Sequence, residues 1–158
     1  MTLNGFSDAD WASQLHCHSI SGYAFFFGRG AVSWSSKKQP IVTLSSTESE
    51  YVVLTHAFKD IIWIQKFIKE ISPFFPFNFS IPTNLFCDNQ GAIRLSKDAT
   101  YHARTKHINV HFHFVRQTVT QKDISLNYIS TNDMVADIFT KSLARQKFED
   151  FCRLLGVL

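Results

Sequence analysis

Leu44-Ser-Ser-Thr-Glu-Ser-Glu-Tyr-Val-Val-Leu54 is the stretch from which the rest of the fold can be worked out. Ser45, followed three residues later by Glu48, forms a capping box, the pattern that marks a helix amino terminus. Apolar residues then recur at helical spacing until Ser72-Pro73, where proline stops the helix. The sequence therefore predicts one long amphipathic helix that packs on an apolar layer.

Two acidic residues in the first turns of this helix face different ways. Glu50 lies one turn before Leu54, at the head of an apolar stripe, whereas Glu48 shares a face with mostly polar residues. The stripe continues through Ala57, Phe58, Ile61, Ile64, Ile68 and Ile71. A carboxylate that faces a core must be protonated, paired or bound to a cation. We therefore expect Glu48 to be a cap on a solvated surface and Glu50 to be a site residue.

The composition is that of a globular chain. Of its 158 residues, 45% are hydrophobic and 18% are charged, and no apolar run approaches the roughly 18 residues of a membrane span. Cys17, Cys87 and Cys152 show no CxxC spacing, so a disulfide framework is not indicated. We expect residues 1–158 to form a single domain, without a membrane segment, in a reducing compartment.

The positive charge is concentrated in the second part of the chain. Residues 1–88 hold 6 Lys/Arg and 7 Asp/Glu, whereas residues 89–158 hold 10 and 6. A polyanion would bind this second part in preference to the first.

The order of predicted elements indicates a mixed sheet. Three strands form a meander, and the later strands alternate with helices, which is typical of α/β or α+β domains. The predicted order is strands 3–8, 21–27 and 31–35, the long helix, strand 84–88, helices starting near 89 and 105, strand 124–128, and helices starting at 131 and 145.

Four carboxylates occupy comparable positions in these elements. Asp8 and Asp88 are placed at strand ends, and Glu50 and Asp137 lie within the first turns of helices. Taken singly, each is equally well explained as a turn former or a helix-end residue. Taken together, oxygen-only ligands favour hard divalent cations such as Mg²⁺ or Mn²⁺.

Seven segments, in order along nearly the whole chain, carry a family resemblance. The chain resembles the ribonuclease H domain at the end of the polyprotein of copia-like LTR retrotransposons. The segments are Gly5-Phe-Ser-Asp-Ala-Asp-Trp11, Ser21-Gly-Tyr23, Val32-Ser-Trp-Ser-Ser-Lys-Lys-Gln-Pro40, Leu44-Ser-Ser-Thr-Glu-Ser-Glu-Tyr51, Cys87-Asp-Asn-Gln90, Ala103-Arg-Thr-Lys-His-Ile108 and Ala136-Asp-Ile-Phe-Thr-Lys-Ser-Leu143.

The resemblance implies a fold, an activity and a set of site residues. The fold would be ribonuclease H-like, a five-stranded mixed sheet flanked by helices, and the activity would be endonucleolytic cleavage of the RNA strand of RNA–DNA hybrids. The catalytic, metal-binding quartet would be Asp8, Glu50, Asp88 and Asp137, holding two Mg²⁺ ions for which Mn²⁺ can substitute. The implied nucleic-acid contacts are Asn89, Gln90, Arg104, Lys106 and His107.

Two of these contact assignments have alternatives. Asn89 and Gln90 could contact the ribose 2′-hydroxyl, but they could equally well cap a helix. The basic residues could meet phosphates or form a solvated helix start.

The chain departs from the family at two places. Cys17 and His18 stand where family members usually carry two basic residues, which weakens one expected phosphate contact. Cellular and bacterial relatives have a histidine in the loop before the last acid, where this chain has Ser130-Thr131-Asn132.

The resemblance also implies a biological setting. Met1 lies almost at the first strand, so we expect a fragment of a larger polyprotein from which the reverse transcriptase part is absent. The expected partners are an RNA–DNA hybrid and the reverse transcriptase domain of the same polyprotein. The domain itself is expected to be a monomer, and the expected location is a cytoplasmic virus-like particle.

Three other interpretations compete with cleavage of a hybrid. The first is a catalytically inactive nucleic-acid-binding remnant of a retroelement. The second is a structural zinc domain, because His107 and His111 are spaced i, i+4, with His102 and His113 close by. The third is an integrase, but that group places its glutamate last, and here Glu50 comes second.

Overall fold

The structure is a computed structural model and describes residues 2–28, 30–74, 79–97 and 109–158. Five strands form one sheet: β1 (Thr2–Asp10), β2 (Ile20–Phe27), β3 (Gly30–Lys38), β4 (Ser80–Cys87) and β5 (Ile124–Tyr128). Four helices accompany them: α1 (Ser46–Ile71), α2 (Gln90–Lys97), α3 (Asn109–Thr120) and α4 (Arg145–Leu155). Short 3-10 segments are Leu15–Cys17, Ser72–Phe74, Thr131–Asp133 and Val135–Phe139.

The sheet is mixed, with strand order β3-β2-β1-β4-β5. The meander of β1, β2 and β3 is antiparallel, whereas β4 and β5 run parallel to β1. The predicted five-stranded mixed sheet flanked by helices is therefore confirmed.

Helices cover both faces of the sheet, which explains why β2 is apolar at consecutive positions. Phe25 belongs to the core cluster beneath α1, α2 and α3. Ala24 and Phe26 point to the opposite face, where they meet Phe151 and Leu155 of α4. Since successive residues of a strand face opposite ways, a strand covered on both sides needs apolar residues throughout.

The long helix begins and ends close to where its sequence predicts. The Ser45 hydroxyl accepts a hydrogen bond from the Glu48 backbone N–H, as the capping box requires. The predicted stripe is buried from Leu54 to Ile68. The prediction that Glu48 lies on a solvated surface is wrong. Glu48 is only 6% exposed, because its carboxylate turns back to accept a hydrogen bond from the Leu44 backbone N–H instead of facing solvent.

The helix predicted from Thr131 does not form. Two short 3-10 segments replace it, separated by Met134 in an extended conformation. Four consecutive residues, Met134 to Asp137, are at most 3% exposed. A surface helix buries only one stripe, so this run cannot be buried as a regular helix.

Strand boundaries also differ from the prediction. β1 extends to Asp10, so Asp8 lies within the strand and not at its end. β4 begins at Ser80, four residues before its predicted start. Among the described residues, no helix combines the length and hydrophobicity needed to cross a bilayer.

Candidate active site

Asp8 and Glu50 meet where the start of α1 crosses the end of β1. The backbone N–H of Ala9 donates to Glu50 Oε1 at 3.1 Å, which fixes the helix carboxylate against the strand. Asp8 is 2% exposed and Glu50 is 3% exposed. The prediction that Glu50 faces inward is confirmed.

Asp88 follows the last residue of β4 and approaches Glu50 from the neighbouring strand. The Thr131 hydroxyl donates to Asp88 Oδ2 at 2.7 Å and holds one oxygen of this half-buried carboxylate. Ligand atoms of Glu50, Cys87 and Asp88 all lie within 4.8 Å of one another. Because β4 pairs directly with β1, the topology places Asp88 beside Asp8 and Glu50.

Asp137 enters the same cluster from the segment Val135–Phe139. The Lys141 ammonium lies 2.9 Å from Asp137 Oδ1 and 3.4 Å from Asp8 Oδ2, so it bridges the two carboxylates. The Lys147 ammonium binds the other Asp137 oxygen at 3.0 Å. The Thr140 hydroxyl donates a short hydrogen bond to Asp8 Oδ2. The structure thus brings all four predicted acids together, and their catalytic role stays a prediction.

Burial makes two of the four acids hard to ionise. Desolvation raises the pKa of Asp8 to about 6, an effect that the Asp137 and Asp88 charges increase and that Thr140 and Lys141 partly offset. Burial and the neighbouring Asp8 charge raise the pKa of Glu50 well above its ordinary value. Burial lowers the pKa of Lys141, but Asp8 and Asp137 outweigh that effect and raise the pKa overall. Lys141 is therefore a cation in this cluster.

The donor set fits a hard divalent cation. Carboxylate oxygens are the ligands that Mg²⁺ and Mn²⁺ prefer. Within the described residues, no ion pair involves Glu50 or Asp88. Lysine ammonium groups therefore balance the negative charge of Asp8 and Asp137 but not that of Glu50 and Asp88. The pair Glu50 and Asp88 has the greater need of a bound cation.

Comparison with known proteins identifies the family. No protein-family model matches the sequence. The retrovirus-related Pol polyprotein from transposon TNT 1-94 of Nicotiana tabacum is 42% identical over 156 residues, which is 98% of this chain. That from transposon RE2 of Arabidopsis thaliana is 37% identical over 159 residues, or 100% of the chain. The chain is homologous to one segment of the Pol polyproteins of copia-like transposons. It spans only 11% of the length of each of these two relatives.

A solved structure identifies the fold of this Pol segment. The crystal structure of LC11-RNase H1 in complex with RNA/DNA hybrid matches with a TM-score of 0.62. The match covers 88% of this chain and 94% of that protein at 13% identity, so the likeness is one of fold. This chain, homologous to a segment of Pol, therefore has the ribonuclease H fold.

The predicted nucleic-acid residues have mixed outcomes. Asn89 Oδ1 accepts the Ala92 backbone N–H at 2.9 Å, so Asn89 caps α2, and Gln90 is exposed beside it. Arg104, Lys106 and His107 lie outside the described residues, as does His102. Among the described residues, no group of three metal-ligating side chains contains a histidine.

Sequence reasoning missed three residues that hold the acids of this Pol segment. Lys141 could have been found, because it lies four residues after Asp137 and i, i+4 ion pairs are common. Thr140 and Lys147 give no comparable signal, since their contacts depend on how α4 and the Val135–Phe139 segment fold back on the sheet.

Gly22 is a further residue on which the position of Asp137 depends. A Cβ atom at Gly22 would lie 2.6 Å from Thr140 Cγ2 and 2.9 Å from Phe139 Cβ. Gly22→Ala should therefore push the Asp137 segment off β2, costing about 1–3 kcal/mol of stability. Since a 1 Å misplacement of a catalytic group can cost about 100-fold in rate, any catalysis that uses Asp137 should fall by up to that factor.

Gly30→Ala is the matched control, because among the described residues, chain neighbours apart, no atom lies within 4 Å of a Cβ at Gly30. Thermal unfolding of both variants checks the loss of stability, and an assay of any activity that uses Asp137 checks the loss of rate. Equal behaviour of the two variants would show that Gly22 does not control the position of Asp137.

Proposed function

We propose that this domain hydrolyses the RNA strand of RNA–DNA hybrids during reverse transcription of a retrotransposon. The observation that carries the proposal is the convergence of four acidic side chains from β1, α1, the β4 terminus and the Val135–Phe139 segment on the ribonuclease H fold. The homologous region belongs to Pol polyproteins, and the LC11 enzyme of the same fold is described in complex with RNA/DNA hybrid. Both findings support this substrate.

The four acids would hold two Mg²⁺ ions, with Mn²⁺ as a substitute. When bound, such ions stabilise the attacking and leaving oxygens of a phosphodiester during in-line displacement. Hydrolysis adds water across the P–O3′ bond, so the products carry a 3′-hydroxyl and a 5′-phosphate.

The chain's own residues keep the acids in place for this reaction. The Ala9 N–H orients Glu50, the Thr131 hydroxyl orients Asp88, and the Thr140 hydroxyl orients Asp8. Lys141 and Lys147 balance the charge of Asp137. These contacts fix rotamers before substrate arrives, which reduces the cost of ordering the site.

Recognition of the hybrid would use polar groups next to the acids. Gln90 is exposed at the start of α2, two residues after Asp88, and would hydrogen-bond a ribose 2′-hydroxyl. Asn89 uses its side-chain oxygen as a cap, which leaves its amide N–H groups to donate. The 2′-hydroxyl is the group that distinguishes RNA from DNA.

Cleavage of an end-labelled RNA–DNA hybrid by the purified chain, in Mg²⁺ and in Mn²⁺, tests the proposal. The parent chain should cut the RNA strand of the hybrid and leave a DNA duplex uncut. Asp88→Asn should lose more than about 100-fold in rate, because even outer-shell partners of metal ligands are worth 10–100-fold.

Asp150→Asn is the matched control for Asp88→Asn. Asp150 is an acid on α4 that pairs with Arg153, and its side chain is 51% exposed. This variant should cut like the parent. A parent chain that binds hybrid without cutting it, in either metal, would replace the proposal with a catalytically inactive nucleic-acid-binding remnant.

A further inference from the structure

Cys87 places a sulfur atom inside the carboxylate cluster. Its side chain is fully buried at the end of β4, with Sγ 3.7 Å from Glu50 Oε2. The same sulfur accepts the Asn89 backbone N–H at 3.4 Å. Asp88 completes a group of three ligand atoms that lie within 4.8 Å of one another.

We propose that Glu50, Cys87 and Asp88 form a binding site for thiophilic divalent cations, Zn²⁺ or Cd²⁺, with the Cys87 sulfur as a direct ligand. On binding, the Cys87 S–H bond breaks, its proton passes to solvent, and a sulfur–metal bond forms. No electron is transferred, so the step needs no oxidant or reductant. A metal-bound thiol is deprotonated outright.

The distances suit such an ion. Zn–S and Zn–O bonds are about 2.3 and 2.0–2.2 Å, so a sulfur and an oxygen on one ion lie at most about 4.5 Å apart. The Cys87–Glu50 separation of 3.7 Å already meets this limit. Asp88 is half-buried and its ligand atom lies within 4.8 Å of the other two. In a tetrahedral site, where sulfur and oxygen lie about 3.6 Å apart, its carboxylate would move inward by about 1 Å to join them.

The Cys87 sulfur gives this site a different metal preference from a site made only of carboxylates. Glu50 is 3% exposed, and its Oε2 has only the weak contact with the Cys87 thiol among the described residues. Thiolates favour soft and borderline metals, whereas Mg²⁺ is bound by oxygens and gains nothing from sulfur. A Zn²⁺ or Cd²⁺ ion here would therefore take Glu50 and Asp88 away from Mg²⁺. This inhibitory consequence rests on the proposed function, whereas binding of the ion itself does not.

Titration of the metal-free chain with Cd²⁺ alone, followed by its ultraviolet sulfur-to-metal charge-transfer absorption, tests the proposal. The test uses a Cys17→Ser/Cys152→Ala background, which leaves Cys87 as the only cysteine that can bind Cd²⁺. Cys17 is exposed and Cys152 is buried in α4. The band should saturate at one Cd²⁺ per chain. Cys87→Ser in this background should lose the band, and its Cd²⁺ affinity by calorimetry should fall at least about tenfold.

Two outcomes would overturn the proposal. One is a band that survives in Cys87→Ser, and the other is a background chain that shows no band. Circular dichroism checks that Cys87→Ser is folded. If it is not, Glu50→Gln serves instead, since it keeps the thiol and should still weaken Cd²⁺ binding.

Inhibition is measured separately from binding. In Mg²⁺, added Cd²⁺ should suppress hybrid cleavage by the background chain and have much less effect on Cys87→Ser. If no chain cuts hybrid, the proposed function fails, while the absorption titration still decides whether Cys87 binds the metal.

Discussion

Glu50→Gln is expected to abolish hybrid cleavage and, at the same time, to raise the stability of the metal-free domain. Glu50 is 3% exposed, and its burial and the Asp8 charge raise its pKa, so its ionised form destabilises the fold near pH 8. Glutamine keeps the shape and still accepts the Ala9 N–H, but it carries no charge. Cleavage should fall more than about 100-fold. Thermal unfolding at pH 8 without metal should occur at a higher temperature than in the parent.

Glu48→Gln is the control for Glu50→Gln, since both acids lie in the first turns of α1. Glu48 accepts the Leu44 backbone N–H at 2.8 Å, and glutamine retains an acceptor for it. We expect a stability loss of at most about 1 kcal/mol and an unchanged cleavage rate. The assignment would be wrong if Glu48→Gln abolished cleavage and Glu50→Gln did not. A loss of both cleavage and stability in Glu50→Gln would indicate a structural role.

The part of the site that sequence reasoning found depends on local periodicity. The helical period separates Glu50 from Glu48, a signal that lies within one element. The grouping of Asp88 with the other acids is implied only by the family resemblance, and in the structure it follows from the pairing of β4 with β1. The five-stranded sheet follows from the same kind of information, because each strand is a short apolar run bounded by turn residues.

What sequence reasoning missed depends on contacts between distant segments. Asp8 and Thr140 are 132 residues apart, and their hydrogen bond forms only because the Val135–Phe139 segment packs on β2. The loss of the helix predicted at Thr131 has the same origin, because tertiary packing there overrides a local helical pattern. The burial of Glu48, by contrast, comes with a local contact to the Leu44 backbone N–H.

The metal-free domain is expected to lose stability as the pH rises from 5 to 8. Asp8 has its pKa raised from 3.8 to about 6. The folded state therefore binds the proton more tightly, and the resulting stability is full below pH 3.8 and is lost as the pH passes through about 6. The whole effect on the free energy of unfolding is about 3 kcal/mol. Roughly half of it is lost between pH 5 and pH 8, which corresponds to a decrease of about 3–6 °C in Tm. The raised pKa of Glu50 acts in the same direction.

Comparing the parent chain with Asp8→Asn isolates this effect. Burial lowers the pKa of His56 and of His111, which gives the opposite pH dependence, but these histidines contribute equally to both chains. The difference in Tm between Asp8→Asn and the parent should therefore grow in favour of Asp8→Asn as the pH rises. Added Mg²⁺ should stabilise the parent more at pH 8 than at pH 5, because a cation binds the ionised carboxylates and competes with their protons. A Tm difference that stays constant from pH 5 to 8 would show that Asp8 ionises as freely in the folded chain as in the unfolded one, and the cluster would then need no cation to remain charged at neutral pH.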